Sequence, residues 1–117
     1  AATQDILSMN SSFDVMVGAD QSMQGAAIVL ADEGMTGKVK LIGLGGSAPA
    51  MEGIADGSWF AGVLGAPATE GRYAMEAMVD ALKNGVHQGG IDPLATAPDG
   101  GLITSENVSK FTAEWDG

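Results

Sequence analysis

The sequence contains no cysteine, which excludes disulfides, thiolate nucleophiles and cysteine-based metal sites together. It holds a single histidine, His87, set in a glycine-rich stretch without an acidic cluster beside it, where a solvated loop residue is expected. No H-x-x-x-H pair or acidic metal loop occurs, and no Ser-His-Asp pattern stands in a plausible order. No catalytic residue, metal ligand or cofactor is therefore assigned. Aromatic residues make up only 5% of the chain. Basic residues are scarce, five against 15 acids, for a net charge of −10. A surface of that sign repels phosphate backbones and anionic membranes, so no nucleic-acid partner is expected. No apolar run approaches the roughly 20 residues of a membrane-spanning helix. Nor does a signal-peptide pattern open the chain; a secreted protein would have lost it on processing, and a fragment would not show it.

What is present suits one domain with a true core. The chain has 117 residues, of which 45% are hydrophobic. With so few aromatics, the core must be built from Ala, Val, Leu, Ile and the seven Met. These residues, with 18 Gly, let helices and strands approach closely, as layered α/β packing requires.

Along the chain, 1–9 reads as helical and lacks a convincing N-cap, so residues before Ala1 are expected to be missing. Asn10-Ser11-Ser12 is a turn signal. Phe13 to Gly18 reads as a buried strand, short and bounded by turn residues. Asp20 or Ser22 can cap a following helix that carries Met23, Ala26, Ala27 and Leu30 at helical spacing and stops at Gly34. Lys38 to Gly43 reads as a second strand. Ser47 is placed to cap a short helix with Pro49 in its first turn, where a missing N–H costs nothing. Trp59 to Leu64 reads as a third strand, broken by Gly65-Ala66-Pro67. The helix after it puts Gly71, Met75, Met78, Val79 and Leu82 on one face and ends at Asn84-Gly85. Residues 86–101 are rich in turns, Leu102-Ile103-Thr104 is a short extended piece, and Ser105 is read as opening a last helix that reaches Trp115.

This alternation predicts an α/β fold with a mostly parallel sheet flanked by helices. In open parallel sheets, ligands bind outside the carboxyl ends of the strands. Here those ends carry Gly18-Ala19-Asp20-Gln21, Gly45-Gly46-Ser47 and Gly65-Ala66-Pro67. Gly43-Leu44-Gly45-Gly46-Ser47-Ala48 also fits the G-x-G-x-x-A spacing of a dinucleotide turn. The acid required at the end of the next strand is absent, since that strand ends in Leu64-Gly65-Ala66. The glycines are read instead as a tight turn beside a cleft. Trp59 and Trp115 could serve as apolar stacking platforms, but both are expected to lie far from the cleft and to serve packing.

Three segments carry a family resemblance. Phe13 to Ala26 looks like a strand-to-helix segment that lines a sugar cleft. Gly37 to Gly43, followed by Met51 to Gly57, looks like the next strand and helix. Ala66-Pro67-Ala68-Thr69-Glu70-Gly71-Arg72 looks like the stretch after an interlobe crossover, and Leu102 to Val108 like the family's ending. In order and spacing the chain resembles the type I periplasmic sugar-binding proteins, the ribose-binding-like family. The resemblance implies the C-terminal lobe of a periplasmic binding protein type I fold, in a chain two to three times shorter than its relatives. It divides the sequence into second-lobe β/α units over 1–65, a crossover helix over 66–90 expected to pack on a missing first lobe, and a C-terminal return segment and helix over 91–117.

The function implied is that of the solute-binding component of a bacterial ABC importer. It would bind a sugar or sugar-like small molecule between two lobes and deliver it to an ABC permease, in the periplasm or otherwise outside the cytoplasm, with lipid anchoring open for the full-length protein. The implied ligand-binding positions are Ala19, Asp20, Gln21, Gly45, Gly46, Ser47 and Gly65. Relatives often carry Asn at the position of Ala19, Asp at that of Gly45, and Gln or Asn at that of Gly65. The loss of these side chains points away from ribose or glucose and toward backbone donors or a less hydroxylated ligand, an autoinducer-type furanosyl compound among them. A transcription-regulator effector domain shares the fold but would need a basic DNA-binding segment, which this chain lacks. The apolar face of the crossover helix is expected to pair with the missing N-terminal part or with a second copy.

Overall fold

A computed structural model describes residues 2–10, 12–87 and 89–117. Ala1, Ser11 and Gln88 lie outside the described residues, and with them the expected helix start at Ala1, the middle of the Asn10–Ser12 turn and one position of the 86–101 stretch. The elements are α1 (Ala2–Met9), β1 (Val15–Ala19), α2 (Asp20–Asp32), β2 (Lys40–Gly45), α3 (Ala48–Asp56), β3 (Ala61–Leu64), α4 (Pro67–Asn84) and β4 (Leu102–Thr104). Pro98–Gly101 is a tight turn with Asp99 and Gly100 in the left-handed conformation at φ 49° and 65°, and a single 3-10 turn covers Val108–Lys110.

The four strands form one sheet in the order β1-β2-β3-β4. β1, β2 and β3 are parallel, with Ala19 beside Leu44 and Gly45 beside Leu64; β4 returns antiparallel, with Ile103 beside Gly62. The fold is the mixed α/β arrangement that the alternation of elements predicts. Two consecutive β-α-β crossovers step along the sheet in the same direction. With the common right-handed connection, both helices are carried to the same face. That face holds the core: Met23, Ala26 and Leu30 of α2, Leu41 of β2, Ala50, Met51 and Ile54 of α3, and Val39, Trp59 and Ile103. The other face carries Val15, Val17, Leu44, Val63 and Leu102, which stay 38% to 55% exposed. The strands are thus apolar on both sides, as in sheets covered twice, yet only one side is covered by described residues.

Strand limits shift from the sequence reading. β1 begins two residues later than its apolar run suggests and ends one later, at Ala19, and β2 reaches Gly45 rather than stopping at Gly43. Trp59 and Phe60 precede β3, and the Trp59 ring packs into the core over Gly53. A Cβ at Gly53 would lie 2.5 Å from Trp59 Cδ1, so the helix approaches the ring as closely as it does only because glycine stands there. Ser47 caps α3 as expected, its hydroxyl accepting from Ala50 N at 3.4 Å, and Gly57 ends that helix in the left-handed conformation at φ 84°.

The helix expected from Ser105 to Trp115 does not form. Asn107 is the reason: its side chain is turned into the body, where Oδ1 accepts from Thr104 N at 2.8 Å and Nδ2 donates to Leu102 O at 2.9 Å and Asp99 Oδ2 at 2.7 Å. These bonds fold 104–107 into a turn, leaving a single 3-10 turn at Val108–Lys110 and an extended tail from Phe111.

α4 stands apart. It is 18 residues long and amphipathic in pattern, but none of its residues is buried. Met75, Met78, Val79 and Leu82 are 59%, 56%, 42% and 81% exposed. The molecule is accordingly elongated, 58 × 28 × 20 Å. No helix among the described residues is long and apolar enough to cross a membrane.

Candidate functional site

Because β1, β2 and β3 are parallel neighbours, their carboxyl ends lie side by side. Two hydrogen bonds close the turns onto one another. Ser47 N donates to Asp20 Oδ2 at 2.7 Å, joining the turn after β2 to the start of α2. Gly65 N donates to Gly45 O at 2.9 Å, joining the turn after β3 to that after β2. Ala19, Asp20, Gln21, Gly45, Gly46, Ser47 and Gly65 are therefore gathered on one edge of the sheet.

They do not play equal parts there. Asp20 and Ser47 are wholly buried, each at 0% exposure. Asp20 is not the N-cap of its helix, since Ala19 holds that position and no side chain caps it. Its carboxylate faces inward, with Oδ2 on Ser47 N and Oδ1 without a hydrogen-bond partner among the described residues. Ser47 likewise spends its hydroxyl on capping α3. Gly46 is buried at φ 61°, in a left-handed turn against Leu64. Ala19 and Gln21 are exposed, and Gly45 and Gly65 are half-buried.

The glycines of the edge are required by close packing. A Cβ at Gly65 would lie 2.8 Å from Gly45 O. One at Gly45 would lie 2.7 Å from Trp115 Cζ2 and 3.0 Å from Asp20 Oδ2. Neither position has room for a polar side chain without a shift of its neighbours. Trp115 is the residue that the sequence reading misplaced. Its indole N–H donates to Gly45 O at 2.8 Å, and its own carbonyl accepts from Ala48 N at 3.1 Å. It thus lies at the strand-end edge, half-buried, and not far from it. The preceding residue was also missed: Glu114 accepts from Thr69 N at 2.8 Å and from the Thr69 hydroxyl, in the first turn of α4. The Thr69 hydroxyl, with the amides of Thr69 and Ala68, holds the Glu114 carboxyl below the usual carboxylate range. Nothing in local pattern pairs residues 69 and 114, or 45 and 115; only the antiparallel return of β4 carries the tail back to this edge.

The three turns bring the starts of α2, α3 and α4 to the same edge, with backbone N–H groups directed toward it. Those of α3 and α4 are partly engaged by Ser47, Trp115 and Glu114. The start of α2 has no side-chain cap, which leaves its first amides as donors for hydroxyl or carbonyl oxygens. No group of three or more metal-ligating residues occurs among the described residues.

An open, mostly parallel sheet with a turn-lined carboxyl edge defines the class of α/β proteins that hold small ligands outside their strand ends. The chain belongs to the periplasmic binding protein domain family, whose sequence profile matches residues 1–85. No match is found among curated protein sequences. Solved structures agree with the family. The Caulobacter myo-inositol binding protein, bound to myo-inositol, superimposes with a TM-score of 0.75 at 29% identity, over 97% of this chain and 37% of that one. A Mycobacterium smegmatis ABC transporter solute binding protein with bound glycerol gives 0.73 at 26% identity, over 99% of this chain and 40% of that one. A periplasmic solute binding protein of Actinobacillus succinogenes with bound D-allose gives 0.78 at 19% identity, over 94% of this chain and 37% of that one, a likeness of fold. The chain thus spans well under half the length of these relatives.

Proposed function

We propose that the chain forms one wall of a site for a sugar-like or polyol solute, and serves as part of the solute-binding component of a bacterial ABC importer. Its partner would be an ABC permease, and its place the periplasm or another compartment outside the cytoplasm. The role is one of binding and release, without catalysis. The observation that carries this reading is the convergence of three parallel strand ends, locked by the bonds from Ser47 to Asp20 and from Gly65 to Gly45. The solutes bound by relatives, myo-inositol, glycerol and D-allose, supply the chemical class.

In this reading Ala19, Gln21, Gly45 and Gly65 face the ligand, while Asp20, Gly46 and Ser47 form the frame beneath. Hydrogen bonds come chiefly from backbone amides and Gln21, each contributing about 0.5–1.5 kcal/mol net. The exposed face of α4, with Met75, Met78 and Leu82, takes the partner surface, either another lobe of the same protein or a second copy. Binding would then shift an open–closed equilibrium, because only a closed form contacts the solute from both sides.

The test is an NMR titration of the 117-residue chain with myo-inositol. Weak, saturable shifts confined to the amides of Ala19, Gln21, Gly45 and Gly65 are expected, since one wall alone binds poorly. Shifts centred on α4, or none at the strand-end edge, would overturn the reading.

A further inference from the structure

The position of α4 poses a physical question. A helix that buries none of its residues has little packing to fix its direction. Only Gly65 and Ala66 separate it from β3, so the φ and ψ of these two residues set its direction. Two attachments act at that linker. On one side, Gly65 N is bonded to Gly45 O. On the other, Glu114 grips Thr69 in the first helical turn, taking both its amide and its hydroxyl. The neighbouring residue Trp115 bonds Gly45 O through its indole and Ala48 N through its carbonyl. Gly45 O therefore accepts from Gly65 N and Trp115 Nε1 together, and one short stretch of tail spans the turn after β2 and the start of α4.

We propose that Glu114 and Trp115 form a strap that fixes the direction in which α4 leaves the sheet. Both are positioning residues. Glu114 holds the helix start, Trp115 anchors the tail to the turn at Gly45, and the crossover at Gly65–Ala66 is held between them. The strap ties the strand-end edge to the start of the crossover helix, so that a change at Gly45 is felt as a change in the angle of α4. The inference stands on these contacts alone and does not depend on the identity of any solute.

The absence of cysteine makes the test direct. Lys83→Cys near the end of α4 and Glu52→Cys on α3, both exposed, take nitroxide labels whose separation is read by pulsed electron paramagnetic resonance. A narrow distance distribution is expected in the otherwise unaltered chain and in the exposed control Glu106→Ala. Glu114→Ala loses the narrow distribution, and the Trp115 indole N–H exchanges faster because its anchor is released. Glu114→Gln retains the narrow distribution, since its amide oxygen still accepts from Thr69 N. Thr69→Val, which removes only the hydroxyl, gives an intermediate width and serves if Glu114→Ala does not fold. A folded Glu114→Ala or Thr69→Val chain with the original narrow distance, or a broad distance before any change, overturns the strap.

Discussion

Replacing Asp20 by alanine tests the frame of the edge most sharply. The carboxylate is wholly buried, and Oδ2 takes the Ser47 amide at 2.7 Å. Alanine leaves that amide buried without an acceptor and deletes its hydrogen bond, a combined cost of about 2–3 kcal/mol. For a chain of 117 residues, the unfolding entropy near the midpoint converts each kcal/mol into about 4 °C. Asp20→Ala should therefore melt about 8–12 °C below the unaltered chain, followed by far-UV circular dichroism and checked by urea unfolding. Asp20→Asn is the instructive partner. It keeps an acceptor for Ser47 N and places an amide nitrogen where Oδ1 has no partner among the described residues. It should lose less than half of what alanine loses. If Asp20→Ala unfolds within about 0.5 kcal/mol of the parent chain, the staple between the two turns contributes nothing, and the account of Asp20 as frame fails.

Other outcomes follow from the same contacts. Gly45→Ala puts a methyl group 2.7 Å from Trp115 Cζ2, so the indole should be displaced, its fluorescence should shift to the red, and stability should fall by about 1–3 kcal/mol. Asn107→Ala removes the bonds to Thr104, Leu102 and Asp99 from a buried position; a loss of about 2–3 kcal/mol is expected in urea unfolding, with the 99–107 amides exchanging faster. The hold of Glu114 on α4 should be pH-dependent. Because its carboxyl sits below the usual range in the folded chain, chiefly through the Thr69 hydroxyl, the contact is fully formed above the ordinary Glu value of about 4.3 and weakens as pH falls through the depressed folded value. Hydrogen exchange at Thr69 N, followed downward from neutral pH, should show protection persisting below that ordinary value and then failing; loss of protection already near neutrality would contradict it.

The sequence by itself determined the local elements and their order. Apolar runs between turn residues located three strands, helical spacing of Met23, Ala26 and Leu30 located α2, and Ser47 with Gly57 bounded α3, because each signal is read within a few residues of backbone. Alternation of these elements implied a parallel sheet, and its strand ends pointed to one edge. Tertiary structure decided what those ends do. Asp20 looked like a candidate cap of α2 and is instead a buried staple, because the acceptor it supplies is taken by a turn 27 residues away. Ser105 to Trp115 looked helical, and the network around Asn107 turned it into a tail. Trp115 was expected far from the cleft and lies against Gly45, 70 residues earlier in the chain. Contacts at such separations leave no period in the sequence, since they depend on where the sheet carries the chain and not on what precedes or follows each residue.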